Sequence, residues 1–286
     1  MNPRTLVLAL ALLGVPLGAP AQRVHRGRSR AGGVVAVVGP AVLRLVYTPG
    51  ERERFRCTTT QRLGARRGAL EARAVMELRT LSVGEGGAAR RRARLLRLEL
   101  RGGYPFGVRP ALLRALGGAA VEFTQDPRGA LGDWAPWAVP EAQEPVRDAV
   151  LGALQGLQPR LPEAPVSPGA TWADTAAVRL QPGEGASLTL TVETTWRLEA
   201  LRGTATGALL EARISFVQRL QATEGATMAS FPVTGGGEAR GELVLDLAHG
   251  RLERAQVTGS LGLRLGLPTR TVESTSRFAQ DLQRVP

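Results

Sequence analysis

The residues in this chain that could do covalent or metal chemistry are few: one cysteine and two histidines. Cys57 lies in Arg52 to Arg62, where polar and apolar residues alternate, and it shares a face with Phe55. That placement reads as a small buried hydrophobe, with a free thiol or an intermolecular bridge as the alternatives. His25 lies in a polar, Arg-rich stretch and His249 in a tight turn. A Ser-His-Asp or Cys-His site needs a histidine held beside a buried nucleophile, and no Gly-x-Ser-x-Gly elbow is present. The histidine count excludes a His-rich zinc site. Asp126 and Asp246 each precede a glycine by three or four residues and read as turn residues, with an oxygen-ligand calcium site as the alternative. The clusters Gly84 to Gly87 and Gly235 to Gly237 lie between strands, not ahead of a helix, and read as hairpin or loop glycines instead of phosphate loops. Glu51 and Glu53 share a strand face with arginines on the other side, and a glycosidase pair would also need a cleft. The expectation is no catalytic residue, no metal and no cofactor, in a protein that is not an enzyme. A hydrolase is the remote alternative.

What remains is binding chemistry. All 37 basic residues are arginine, the net charge is +12, and residues 51 to 101 hold 14 Arg against 6 Glu and no Asp. Such a field favours anionic partners, and a guanidinium binds phosphate or carboxylate with two parallel hydrogen bonds. Arg52, Arg54 and Arg56 alternate and so share a face. Arg73, Arg79, Arg97 and Arg101 are candidates for the same side, with Phe55, Cys57, Leu96, Leu98 and Leu100 beneath. The competing account is a solvated face in a protein whose genome favours Arg codons. Trp134 and Trp137 lie in a Pro-containing connection, and Tyr104-Pro105-Phe106 in a second loop. A tryptophan pair could stack on sugars, cap a lipid-binding concavity, or plug a sheet against a helix. The expected ligand-binding set is Arg52, Arg54, Arg56, Arg97, Arg101, Trp134 and Trp137. The expected partners are lipid, lipopolysaccharide or an acidic polymer. With 4% aromatics, a nucleic-acid platform is not expected.

The elements that must position these residues are strands. Ser187 to Leu201 puts Leu188, Leu190, Val192, Trp196, Leu198 and Ala200 on one face and polar residues on the other. Leu210, Ala212, Ile214, Phe216 and Leu220 repeat the pattern. Leu243 to Leu247, Arg251 to Leu265 and Thr269 to Arg284 follow it. Leu43, Leu45 and Tyr47 lead into the turn Thr48-Pro49-Gly50. Arg52 to Arg62, Leu70 to Ser82, Arg90 to Arg101, Ala119 to Gln125 and Ala130 to Trp134 complete the first half. Long strands with short turns predict an antiparallel meander. Pro110 to Gly117 reads as a helical turn or two, and Glu141 to Leu157 as a helix with the stripe Val146, Val150, Leu154 and Leu157. The expected organisation is a signal peptide (1–21, ending Ala19-Pro20-Ala21), a disordered Arg-rich lead-in (22–33), a first β-rich unit (34–139), a helix and connection (140–162), and a second β-rich unit (163–286). The fold class is mainly β: long-stranded, curved antiparallel sheets, half-barrel-like, in one or two tandem units, with one central helix. The leader predicts export to the periplasm or beyond, with no lipid anchor because no Cys follows the cleavage site, and its apolar run is too short to span a bilayer.

Leu161-Pro162-x-x-Pro165-Val166-x-Pro168-Gly169-x-x-Trp172, with Leu45-x-Tyr47-x-x-Gly50, resembles the signature of an uncharacterised family of exported bacterial proteins. The meander-plus-helix plan is similar to the half-barrel of the periplasmic lipoprotein carriers. The resemblance implies export and a β fold and assigns no catalytic residue. The function expected is an exported envelope protein that binds an anionic or amphipathic ligand. The alternative is a scaffold that recruits a partner strand at an open sheet edge.

Overall fold

The computed structural model describes residues 34–63, 69–101, 120–135, 159–183, 186–223, 227–228 and 231–286. Period-two burial runs through nearly all of them. In Arg52–Leu63, Glu53, Phe55, Cys57, Thr59 and Gln61 are buried, while Arg52, Arg54, Arg56 and Arg62 are exposed. A strand that alternates in this way has one dry face and must join a sheet to bury it.

The strands are β1 (Val34–Val37), β2 (Arg52–Leu63), β3 (Ala69–Val83), β4 (Ala89–Arg101), β5 (Ala120–Gln125), β6 (Leu131–Ala135), β7 (Thr171–Gly183), β8 (Ala186–Thr204), β9 (Leu209–Ala222), β10 (Thr227–Met228), β11 (Phe231–Asp246), β12 (Arg251–Leu267) and β13 (Arg270–Val285). They form one 13-stranded open sheet. Its path is β7-β8-β9-β11-β12-β13-β2-β3-β4-β5-β6, antiparallel at every step. β1 pairs with the end of β8 beyond β7, and β10 bridges β8 and β11. The stretches read as a first and a second β-rich unit meet in this sheet where β13 pairs with β2.

The sheet curls strongly. Leu45 N–H donates to Pro127 O in the β5–β6 turn (2.7 Å), and the next residue, Val46, donates to Gly250 O in the β11–β12 turn (2.8 Å). Those turns lie five strand positions apart along the sheet, roughly 24 Å if it were flat at about 4.8 Å per strand. Adjacent residues can bond to both only if the sheet bends round to bring the turns together. β11 and β12 approach each other closely at their glycines. A Cβ at Gly237 would lie 1.9 Å from Ser260 O, and one at Gly235 (φ 133°) 2.2 Å from Gly262 O. Only glycine permits that approach.

Two extended segments close one end of the curl. Ala41, Leu43 and Leu45 are buried, as is Leu161, and the segments are tied by backbone bonds between Ala41 and Val166 (2.9 Å) and from Leu161 N–H to Arg128 O (2.8 Å). Arg44 adds bonds to the carbonyls of Pro162 and Glu163, both 2.7 Å. The segment Leu161 to Ala170 thus acts as a strap, and Trp172 Nε1 at the start of β7 donates to Arg160 O at 2.6 Å.

Several expectations are corrected. The expected half-barrel-like plan, in one or two tandem units with one central helix, gives way to a single open antiparallel sheet. Among the described residues the only helical element is the 3-10 turn Glu85–Gly87. The segments Glu141 to Leu157, Pro110 to Gly117, Tyr104 to Phe106 and residues 1–33 lie outside the described residues. Gly235 to Gly237 are not loop glycines: they lie within β11. Leu96 does not face inward. A register shift between Val75 and Met76 moves it to the outer face, where it is 37% exposed, while Leu95 is 4% exposed. A second shift, between Leu198 and Ala200, buries Leu201 instead of Ala200.

Candidate functional site

The near end of the curl, beneath the straps, holds a buried charge network. Arg91 and Glu53 face inward from β4 and β2 and form an ion pair whose side chains are 5% and 9% exposed. Arg91 Nη1 also donates to Gln125 Oε1 at 2.9 Å, and the Tyr47 ring lies 5.1 Å from the Arg91 guanidinium carbon. Tyr47 OH donates to Asp126 O at 3.0 Å. Burial pushes the Tyr47 phenol above its usual range against the pull of Arg91. Arg251 pairs with Glu51 nearby. Tyr47, Glu53, Arg91 and Arg251 line a cleft of about 30 Å³ with Leu45, Phe55, Met76, Leu78, Leu252 and Leu282, room for about one or two waters. The network anchors the first strap; the cleft is too small for a ligand of lipid size.

Further along the inner face, the ladder aligns Trp172, Trp196, Phe216, Gly241, Val257, Gln280, Thr59 and Ala72 across the sheet. The next row aligns Asp174, Thr194, Gln218, Ala239, Gly259, Phe278 and Gln61. Trp196 stacks on Trp172 (6.5 Å, 13°) and tilts against Phe216 (4.9 Å, 49°). Leu190, Leu198, Leu220, Ile214, Val257, Leu261, Leu263 and Phe278 extend this buried apolar wall. Polar groups are set into it. Gln61 Nε2 donates to Ser276 Oγ (2.7 Å), Gln280 Nε2 to Cys57 Sγ (3.0 Å), and Gln218 Nε2 to Thr194 Oγ1 (3.3 Å). The other end of each amide, Gln61 Oε1, Gln280 Oε1 and Gln218 Oε1, has no hydrogen-bond partner, and neither has Trp196 Nε1. Leaving a buried acceptor or donor unmet costs on the order of 1–3 kcal/mol.

The outer face carries the arginines. Registry places Arg52 beside Arg79 and Arg92, Arg54 beside Glu77 and Arg94, and Arg56 beside Val75 and Arg97. Arg54 pairs with Glu77 (3.4 Å), while Arg97 and Arg101 both reach Glu99, the latter at 3.7 Å. Arg92 and Arg90 hydrogen-bond to Glu122 and hold its carboxyl below the usual range, Arg92 contributing most. Among the described residues no carboxylate lies within ion-pair distance of Arg52, Arg56, Arg79 or Arg94. The Arg set read from the sequence therefore shares one face. It is not in the curl: Phe55 and Cys57 lie on the opposite side. At the rim, Arg52, Arg54 and Arg284 border a polar pocket of about 430 Å³ with Glu53, Glu77 and Glu253.

Other candidates fall apart spatially. Burial raises the pKa of the Cys57 thiol, with hydrogen bonds from Gln280 and Thr59 opposing the rise. His249 is exposed and bonds to Asp246, Nδ1 to Oδ2 at 2.6 Å. Cys57 lies within β2 and His249 in the β11–β12 turn, and they share no partner. Asp126 Oδ1 accepts from the N–H groups of Arg128 and Ala130 (2.9 and 2.7 Å), the signature of an Asp-capped turn. Among the described residues no three His, Cys, Asp or Glu side chains converge as metal ligands, and no helix is long and apolar enough to cross a membrane. The backbone of Trp134 belongs to β6, while its side chain and Trp137 lie outside the described residues. Sequence reasoning misses the buried Glu53–Arg91 pair and the orphaned glutamines. Arg91 had a signal, because it is in phase with Ala93 and Leu95 while Arg90, Arg92 and Arg94 are out of phase with them.

No family model matches the sequence, and no curated protein matches it. The fold is similar to that of a solved structure described as lipid–protein interactions in lipovitellin, with a TM-score of 0.50 over 84% of this chain at 12% identity. The likeness shows the fold alone. The matched region spans 25% of the lipovitellin chain.

Proposed function

We propose that this protein is an exported, non-enzymatic carrier that holds an amphipathic, lipid-type ligand on the inner face of its curled sheet. The observation that carries the reading is that inner face: a continuous apolar wall from Trp172 to Phe278 with buried polar atoms that no protein group satisfies. An apolar wall takes up acyl chain, and unmet polar atoms give the ligand's head a place to bond. The lipovitellin structure supports it, because that protein, part of which has a similar fold, is described with lipid–protein interactions. The outer arginine rows form a separate surface, suited to an anionic phospholipid layer.

Native mass spectrometry of the protein, isolated without detergent from its own host, tests the reading. A discrete lipid adduct that organic extraction removes is expected. Bare polypeptide together with a lipid-free extract would contradict it.

A further inference from the structure

We propose that the first strap docks this protein end-on to an anionic phospholipid bilayer, with Val38, Val42 and Val46 entering the acyl boundary and Arg52 and Arg79 meeting lipid phosphate. The inference rests on the outer-face reading above and adds which part of the chain enters the lipid.

Among the described residues, seven large hydrophobic side chains are exposed, and five of them are valines between Val34 and Val46. Val34 to Leu43 holds no charged residue. The strap alternates. Ala41, Leu43 and Leu45 are buried against the end of the curl, while Val42 and Val46 are 52% and 58% exposed and Val38, further back, is 86% exposed. Strands β2 and β4 alternate too, but turn arginines outward (Arg52, Arg54, Arg90, Arg92). The strap turns valine outward instead. Its one charge does not interrupt the ridge: Arg44 donates to the carbonyls of Leu43, Pro162 and Glu163, each at 2.7 Å, so its guanidinium lies back over the second strap. Exposed apolar side chains concentrated in this way mark an interaction surface.

The charge beside the ridge names the partner. The strap runs through the turn at Thr48 to Gly50 into β2, where Gly50 N–H donates to Thr80 O (2.9 Å) and Thr80 N–H to Glu51 O (3.0 Å). That join sets Arg52 beside Arg79 on the outer face. Both are exposed, and among the described residues neither has a carboxylate within ion-pair distance. Val46 and Arg52 are close in the chain, at most about 20 Å apart even if it were fully extended. An apolar ridge next to unpaired guanidinium groups complements a surface that is apolar below and phosphate-bearing above, which is what an anionic bilayer offers. A partner strand finds less to pair with. The N–H groups of Ala41, Leu45 and Val46 are already bonded to Val166, Pro127 and Gly250, so the strap offers side chains in place of a free ladder.

The test is flotation of the full-length protein with vesicles of phosphatidylglycerol mixed into phosphatidylcholine. Salt screens the arginines but not apolar insertion, so part of the wild-type binding should persist at physiological ionic strength. A Val38→Thr, Val42→Thr, Val46→Thr variant keeps the β-branched shape. It should partition roughly tenfold more weakly at that salt, with the melting temperature unchanged. Val217→Thr, at an exposed valine on the outer face of β9, should leave the partition unchanged. A Val42→Cys variant carrying an environment-sensitive fluorophore should shift to the blue on vesicles; the native Cys57 is buried and escapes the label. A triple variant that floats like the wild type, or a label that stays in water while the protein floats, would overturn the inference and leave docking to the arginines alone. A sedimentation dimer that the triple variant loses, with flotation unchanged, would overturn it in favour of a second copy of this chain. No flotation of the wild type would overturn it together with the outer-face reading, while the inner-face ligand stands or falls separately by native mass spectrometry.

Discussion

Removing the Glu53 carboxylate should destabilise this protein more than any comparable change on the outer face. Glu53→Leu leaves the Arg91 guanidinium, 5% exposed, with Gln125 and the Tyr47 ring but no counter-charge. Breaking one side of a buried ion pair costs about 3–5 kcal/mol. At about 2–4 °C per kcal/mol for a domain of this size, the melting temperature should drop by roughly 6–20 °C. Replacing both partners, Glu53→Leu with Arg91→Met, removes the uncompensated charge, so the double variant should recover most of the loss. It should stop short of full recovery by the cation–π contact with Tyr47, about 0.5–2 kcal/mol. Urea unfolding followed by tryptophan fluorescence measures all four corners of the cycle. A Glu53→Leu variant within about 1 kcal/mol of wild type would refute the reasoning, because a pair that cheap to break is hydrated and is not what anchors the strap.

Three further outcomes are expected. Cys57 and Tyr47 hold their protons in the native state above the ordinary values of 9.0 and 10.0. The unfolded chain therefore releases protons that the native one keeps, and stability should fall as pH rises through that range; Cys57→Ala should flatten the first part of the fall in alkaline denaturation curves. Trp196→Asp puts an unpaired carboxylate among Trp172, Phe216 and the apolar wall, and should abolish cooperative unfolding near room temperature by circular dichroism. Arg52, Arg54, Arg56→Gln should weaken flotation with anionic phospholipid vesicles at low salt and leave the inner-face ligand bound, while equal flotation would leave the rows as a solvated face.

Much of the sheet was legible because one-sided burial imposes a period of two, as in Arg52–Leu63 and Leu209–Ala222. The alternation does not report pairing, so Leu43, Leu45 and Tyr47 read as a strand although they belong to a strap bonded to turns. Bulges at Val75/Met76 and Leu198/Ala200 shift the phase by one residue, which no local pattern announces. Glycines in β11 read as loop because the curl that requires them is a property of the whole sheet. β7 was not recognised: Thr171–Gly183 carries small and polar residues suited to an edge. For the site, the outer arginines were visible from spacing. The orphaned glutamines were not, since an amide on a dry face looks the same in sequence whether its partners exist or not.

Where an acyl chain lies when bound tests the central claim most directly. Trp196 sits on the inner face and is 4% exposed. In a variant with Trp134, Trp137 and Trp172 changed to Phe, Trp196 is the sole tryptophan of the four. Titration with an amphiphile brominated along its acyl chain should quench its fluorescence in a saturable way, at the stoichiometry that native mass spectrometry gives. Bound amphiphile with Trp196 unquenched would place the ligand outside the curl and contradict the account.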